Sequence, residues 1–319
     1  MAGGGELRGS PPVGLASLPA QFPDKAIKGI SMDLALLTGV EVVYAIASLF
    51  LISVGLAIVF GMMGVINFAH GEFLMLGGFA FILAVRAGVN FWVAMFVVAP
   101  LCVAIIGVII ERLIIRHLYG RIVETILATW GLSLLLIGLA SAVFGYYQLG
   151  VRPPFGVVHI GAYQTGVYTF FVIGVAVVLG LGLYFLLRHT PFGLIARGTM
   201  QSAPMAAALG VNVKHVYSIT FGIGAAVSGL AGAVFAPLTG VLPISGLTYI
   251  AKAFITVILG GALPLTGAAL SSALLGTVSQ ITTFLSTSVF GEVMLLVTAI
   301  VLLRVLPSGI TGRFFKRGI

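Results

Sequence analysis

A chain of 319 residues that is 60% hydrophobic and 8% charged, with a mean hydropathy of +1.21, is excluded from the soluble globular class, where charged residues make up about a quarter of the chain. Its formal net charge of +8 comes from basic residues at the edges of apolar runs, without interleaved aromatics. That charge reports membrane orientation and implies no nucleic-acid partner. Cys102 stands alone inside an apolar run, which rules out a disulfide framework or a Cys/His metal site and leaves a small packed residue as the expectation.

Residues 1–40 are expected to form an extension, disordered or surface-lying over its Gly- and Pro-rich first thirty positions, with no signal-peptide pattern. Membrane insertion is expected to begin at Val42. Six runs, 42–63, 91–110, 125–145, 165–187, 216–241 and 265–285, are nearly free of charge and long enough to cross about 30 Å of hydrocarbon as helices. Three shorter ones, 67–85, 249–263 and 289–303, carry polar or charged interruptions and read as short, tilted or broken helices. The runs do not alternate apolar with polar, so no β-barrel fits. The fold expected is all-α: a polytopic membrane protein with eight to nine transmembrane or half-membrane helices over 41–312, then a basic tail, 313–319. The Gly-rich stretch 222–233 is expected on an inner helix, since small residues allow close helix approach in lipid.

Ten of the sixteen Lys and Arg fall in three places: Arg112, Arg116 and Arg121; Arg188, Arg197 and Lys214; and Arg304, Arg313, Lys316 and Arg317. The positive-inside rule puts these places, and the C-terminus, in the cytoplasm. Counting back puts the N-terminus outside, an assignment that reverses if 67–85 is re-entrant.

Two acids fall in or beside membrane runs, Glu72 and Glu292, and a carboxylate at that depth needs water or a partner. Asn67, His70 and Glu72 lie within six residues between two apolar runs. They read either as a helix break facing a translocation pathway or as a capping cluster, in which Asn67 starts a helix and Glu72 sits near its positive end. Lys252 and Glu292 are possible intramembrane charges. Snorkelling of Lys252 is the expectation, and their pairing does not follow from sequence. The chain has no phosphate-binding loop of the Gly-x-x-x-x-Gly-Lys-Ser/Thr kind, and His159, His189 and His215 are isolated, so no nucleotide site, catalytic residue or metal site is expected. The polar connection 188–217 stands out in so apolar a chain as a docking element. Within it Pro204 fits a first helical turn, the Ala run favours helix, and Gly210 can end it.

The segment Ile66-Asn-Phe-Ala-His-Gly-Glu-Phe-Leu-Met-Leu-Gly77, Thr190-Pro-Phe-Gly193 with Arg197 and Ala206-Ala-Ala-Leu-Gly-Val-Asn212, and Gly260-Gly-Ala with Thr266-Gly-Ala268 resemble permease subunits of ATP-binding-cassette importers, of the branched-chain amino-acid LivH type, over roughly 42–312. The resemblance implies half of an import channel in a bacterial inner membrane. It would work with a second homologous permease, two ATPase subunits that use the ATP, and a periplasmic binding protein, and this chain would bind no cofactor. It also implies a coupling helix seated on the ATPase, drawn from Gly193, Arg197, Pro204, Met205, Ala206, Ala207, Gly210 and Asn212. Urea, short-amide and aromatic-acid permeases share much of the pattern, while Phe68 and Phe73 lean toward amino acids. A passive channel for a small neutral solute is the reading from another class, and the 188–217 loop separates the two, since a channel would not need it.

Overall fold

The computed structural model describes residues 24–161, 163–261 and 263–314, with backbone alone at 24–31 and 313–314. The first part of the expected extension, and Lys316 and Arg317 of the expected tail, lie outside the described residues. The helices are α1 (Asp24–Met63), α2 (His70–Arg86), α3 (Phe91–Leu113), α4 (Ile122–Phe144), α5 (Val167–His189), α6 (Pro191–Gln201), α7 (Ala203–Ala208), α8 (Val213–Thr239), α9 (Ser245–Gly260), α10 (Pro264–Leu285), α11 (Ser288–Val305) and α12 (Gly309–Phe314). Among the described residues, seven helices are long and apolar enough to cross a membrane, and α9 is a shorter apolar helix. Each of the six charge-poor runs forms one helix.

Three features go beyond or against the sequence reading. First, α1 begins at Asp24 and its candidate span at Met32, well before Val42. Leu34, Ala35, Leu36 and Leu37 are strong helix formers, and Asp33 and Glu41 as single acids do not interrupt them. Second, the connection between α4 and α5 holds an antiparallel hairpin, β1 (Val157–Ile160) and β2 (Tyr163–Gly166), with Gly161 at φ +58° in its turn. Third, Cys102 is exposed on the outer face of α3. Within α3, residues Ala94–Val98 form a π turn just ahead of Pro100. The ring lacks the N–H that would bond the Phe96 carbonyl, and the wider turn absorbs that gap.

One end of the bundle carries the hairpin, which packs on the start of α1, with the Leu149–Val241 backbone bridge beside it. The other end is basic. Arg112, Arg116 and Lys214 line one cavity there, and Arg188 and Arg197 line a second with Met62 and Pro264. From α1's end at Met63 the chain folds back in non-helical form to His70, whose ring reaches the Ile52 carbonyl. At 1.5 Å per residue α2 therefore starts about 16 Å inside the basic end. It finishes at the hairpin end, where Phe91 packs edge-on against Phe81 and Trp92 and Trp92 meets Phe155. The 67–85 segment thus runs from inside the bundle to its hairpin end.

An inverted repeat explains this arrangement. In α1–α2–α3–α4 and again in α8–α9–α10–α11, a long helix stops at a left-handed glycine (Gly64, φ +65°; Gly240, φ +63°), followed by a short helix and two longer ones. α1 packs on α10 as α8 packs on α3, while α1 crosses α8, and α2 meets α9. The first unit's turn lies at the basic end and the second's at the hairpin end, so the units run in opposite directions. The central helices are α1 and α8, as the glycine-rich stretch led us to expect: Gly55 faces Gly224, Gly229 faces Val103 and Gly232 faces the Leu74 carbonyl. At each of these points the missing side chain admits a neighbouring helix.

Candidate functional site

The polar cluster builds the start of α2. Asn67 Oδ1 accepts from the Ala69 N–H at 3.0 Å, and Thr129 on α4 accepts from the Phe68 N–H at 3.1 Å while donating to the Ile66 carbonyl at 3.4 Å. The Thr129 proton is shared with the nearer Ile126 carbonyl at 3.1 Å, and the Ala69 and Phe68 N–H groups are those that a non-helical segment inside an apolar bundle would otherwise leave unpaired. His70 Nε2 lies 3.1 Å from the Ile52 carbonyl. A carbonyl only accepts, so Nε2 carries the proton, while Nδ1 faces Ser228 Oγ at 3.4 Å, whose own proton goes to the Gly224 carbonyl at 2.8 Å. The ring thereby sits between the two central helices.

Glu72 sits in α2's first turn, at the positive end of the helix. Its Oε1 accepts from Ser133 Oγ at 3.0 Å, and its Oε2 has no hydrogen-bond partner among the described residues. The carboxyl group lies against Gly246 in the first turn of α9, where a Cβ would come 2.5 Å from its carbon. The two short helices touch through Gly71, whose absent Cβ leaves room for the Gly246 carbonyl. Asn67, His70 and Glu72 are 1%, 2% and 1% exposed. Asn67 does not cap α2, whose N-cap is Ala69 without a side-chain bond. The cluster is a set of hydrogen-bonded ties around the helix start, and none of its members lines an open surface.

Phe68 faces the other way. It packs on Phe254 of α9 and Trp130 of α4, at ring-centre distances of 4.9 and 6.0 Å. With Ile66, Ile126 and Ile258 it lines an apolar cavity of about 480 Å³. Sequence reasoning passed over Trp130, Ile126 and Phe254. One signal was there: Trp130 lies well inside an apolar run, whereas membrane tryptophans concentrate at the interfaces.

The connection 188–217 forms two helices. Thr190 caps α6, accepting from the Gly193 N–H at 3.1 Å, and Pro191 occupies its first turn. Gly193 packs on the Leu186 and Leu187 carbonyls, so the chain can turn tightly out of α5. The Arg197 Nε donates to the Gly193 carbonyl at 3.3 Å. Ser202 caps α7 with Pro204 in its first turn. Gly210 ends that segment at φ +85°, and Asn212 caps α8. Ala206 is buried, whereas Pro204, Met205, Ala207 and Leu209 are exposed. Among these, Leu209 is 78% exposed although it lies outside every candidate span. An exposed apolar face of this kind marks an interaction surface. α6 packs on both α1 and α8, so the connection reaches the two helices that hold His70.

Lys252 Nζ lies 2.6 Å from Glu292 Oε1, joining α9 to α11, with side-chain exposures of 29% and 62%. Pairing replaces the expected snorkelling of Lys252. In an apolar setting each charge lowers the cost of the other.

The family model described as branched-chain amino acid transport system / permease component matches residues 39–306. The high-affinity branched-chain amino acid transport system permease protein LivH of Escherichia coli K12 is 30% identical over 280 residues, covering 82% of this chain and 91% of its own. The corresponding BraD protein of Pseudomonas aeruginosa is 29% identical over 287 residues, covering 82% and 91%. A probable LivH of Methanocaldococcus jannaschii is 26% identical over 287 residues, covering 84% and 90%. The solved PsaBC complex of Streptococcus pneumoniae with Fab aligns over 91% of this chain and 99% of that one, at 15% identity and a TM-score of 0.46, too remote to inform the site. A match across almost all of the helical bundle, including both turns of its inverted repeat, means that this multi-pass membrane protein belongs to the branched-chain amino acid transport permease family.

Proposed function

We propose that the chain forms half of the translocation pathway of an ATP-binding-cassette importer for branched-chain, hydrophobic amino acids, delivered by a periplasmic binding protein. The other half is a second, homologous permease. Two ATPase subunits bind and hydrolyse the ATP, and this chain contributes no catalytic group. The membrane is the bacterial inner membrane, with the basic end and the C-terminus in the cytoplasm.

The observation that carries the substrate class is the cavity at Phe68. Its walls are aromatic and aliphatic, which suits a branched aliphatic side chain, whereas urea or a short amide would need hydrogen-bonding groups along its path. The α2 break turns Phe68 toward the cavity while their hydrogen bonds keep the polar neighbours out of it. α6 and α7 are the coupling element: the exposed face of Pro204, Met205, Ala207 and Leu209 meets the ATPase, and α6 passes its movement to α1 and α8.

The test is ATP-dependent uptake by proteoliposomes holding the permease pair, the ATPase subunits and the binding protein. Labelled leucine, isoleucine and valine are expected to accumulate and to compete with one another, with urea excluded. Equal uptake of urea, or uptake without ATPase subunits, would overturn the reading.

A further inference from the structure

Where α3 ends and α8 begins, a cavity of about 280 Å³ is lined by Arg112, Arg116, Asn212, Lys214 and His215. The family reading gives these cations no work. Glu111, fully buried, holds one of them: Arg116 Nε lies 3.4 Å from its Oε1, and Tyr119 donates to the same oxygen at 2.5 Å. Burial, and then the bond to Glu111, hold the Tyr119 phenol well above its usual pKa, so it remains a donor. The tyrosine also packs edge-on against Tyr217 at 5.1 Å, which fixes the α3–α4 connection against α8. Arg112 and Lys214, by contrast, have no acidic partner among the described residues. Two unpaired cations brought together from distant parts of the chain repel each other unless an anion lies between them.

A second feature starts at the same place. Leu101, Ile105, Ile109 and Leu113, at four-residue spacing, form an exposed apolar stripe along α3 that ends beside Arg112. An anion with hydrocarbon attached satisfies both features at once. We propose that the cavity binds the phosphate of an anionic phospholipid, with an acyl chain lying along the α3 stripe. Arg112 supplies a planar fork to the phosphate, Lys214 a point charge, and the first turn of α8 its positive dipole. The basic end being cytoplasmic, as proposed above, makes this an inner-leaflet lipid. The bound lipid would brace the start of α8, which follows directly on the coupling element.

The test uses the intact permease and ATPase complex in nanodiscs, with retained lipid counted by native mass spectrometry. Phosphatidylglycerol is expected to be retained over phosphatidylcholine. Arg112→Gln with Lys214→Gln is expected to lower that retention about thirtyfold, and Arg152→Gln to leave it unchanged. If the double variant does not assemble, Lys214→Gln is compared with Lys214→Arg, with about a fivefold loss expected in the first and none in the second. Unchanged retention in the variants would overturn the proposal. Displacement of the lipid by millimolar inorganic phosphate would assign the cavity to a soluble anion instead. Loss of the ATPase subunits with lipid retention unchanged would assign the cations to an acidic partner surface. Because retention is read without transport, a failure of the import reading would be seen separately, in the uptake assay.

Discussion

The bundle contains two breaks of one backbone design. After Gly64 the chain runs inward to α2, and side chains do the bracing there: Asn67 takes the Ala69 N–H, Thr129 takes the Phe68 N–H, His70 sits between α1 and α8, and Glu72 reaches Ser133. After Gly240 the backbone braces itself by pairing Val241 with Leu149, with N–O distances of 2.7 and 3.0 Å, and Ser245 Oγ accepts from the Leu242 N–H at 2.9 Å. The first break lies against α1, α4, α8 and α9, so side chains from these helices reach its orphan groups. The second lies beside the α4–α5 connection, which offers a backbone edge. Equal geometry with unequal chemistry implies that polar substitutions matter at α2 and are tolerated at α9, while both breaks depend on the glycine contact that joins them.

That contact gives the largest expected effect. In Gly71→Ala the new Cβ meets the Gly246 backbone, which has no rotamer with which to yield. We expect a loss of about 3 kcal/mol, seen as failure to recover the assembled complex. Normal yield and melting temperature would break the link between the two halves.

Next comes Glu72, where the comparison separates structure from charge. Glu72→Gln keeps an acceptor for Ser133 and is expected to retain assembly and most transport. Glu72→Leu leaves Ser133 unpaired in an apolar setting and is expected to cost about 1–3 kcal/mol in stability. Assembled Glu72→Gln complexes with transport abolished would instead assign the carboxylate's charge to the pathway. Thermal unfolding and leucine uptake, measured together on both variants, decide it.

A smaller effect is expected at the coupling surface. Ala207 is exposed on α7 and contributes nothing to the bundle core, so Ala207→Asp is expected to leave unfolding unchanged while lowering both transport and substrate-stimulated ATPase activity severalfold. Full transport by a well-expressed variant would remove α7 from the contact. The least perturbing test is labelling: on a Cys102→Ala background, Ser202→Cys and His159→Cys are expected to react from opposite sides of intact inner membrane. Same-side reaction would overturn the proposed orientation.

The sequence made the long spans legible because a charge-free run of sufficient length has few ways to exist outside a membrane. The polar cluster at 67–72 was legible as caps or as pathway, since Asn, His and Glu beside apolar runs must find partners locally. Its depth was not, because that depends on Gly71 resting on Gly246 and His70 reaching Ile52, contacts between remote parts of the chain. The repeat left a trace in Gly64-Val-Ile and Gly240-Val-Leu, too short to stand out in so glycine-rich a chain. The 157–166 hairpin was hidden in a connection with weak alternation. The Lys252–Glu292 pair required the packing of α9 beside α11, which no spacing encodes.

The central claim is that the α2 break turns Phe68 toward the pathway and keeps its polar neighbours out of it. Cysteine accessibility in the assembled, transport-competent complex, on the Cys102→Ala background, tests it most directly. Phe68→Cys is expected to react with a small charged methanethiosulfonate reagent, at a rate that changes when leucine and ATP are supplied. His70→Cys, buried between α1 and α8, is expected to stay unmodified under the same conditions. Rapid, leucine-sensitive modification of His70→Cys with Phe68→Cys inert would contradict the account.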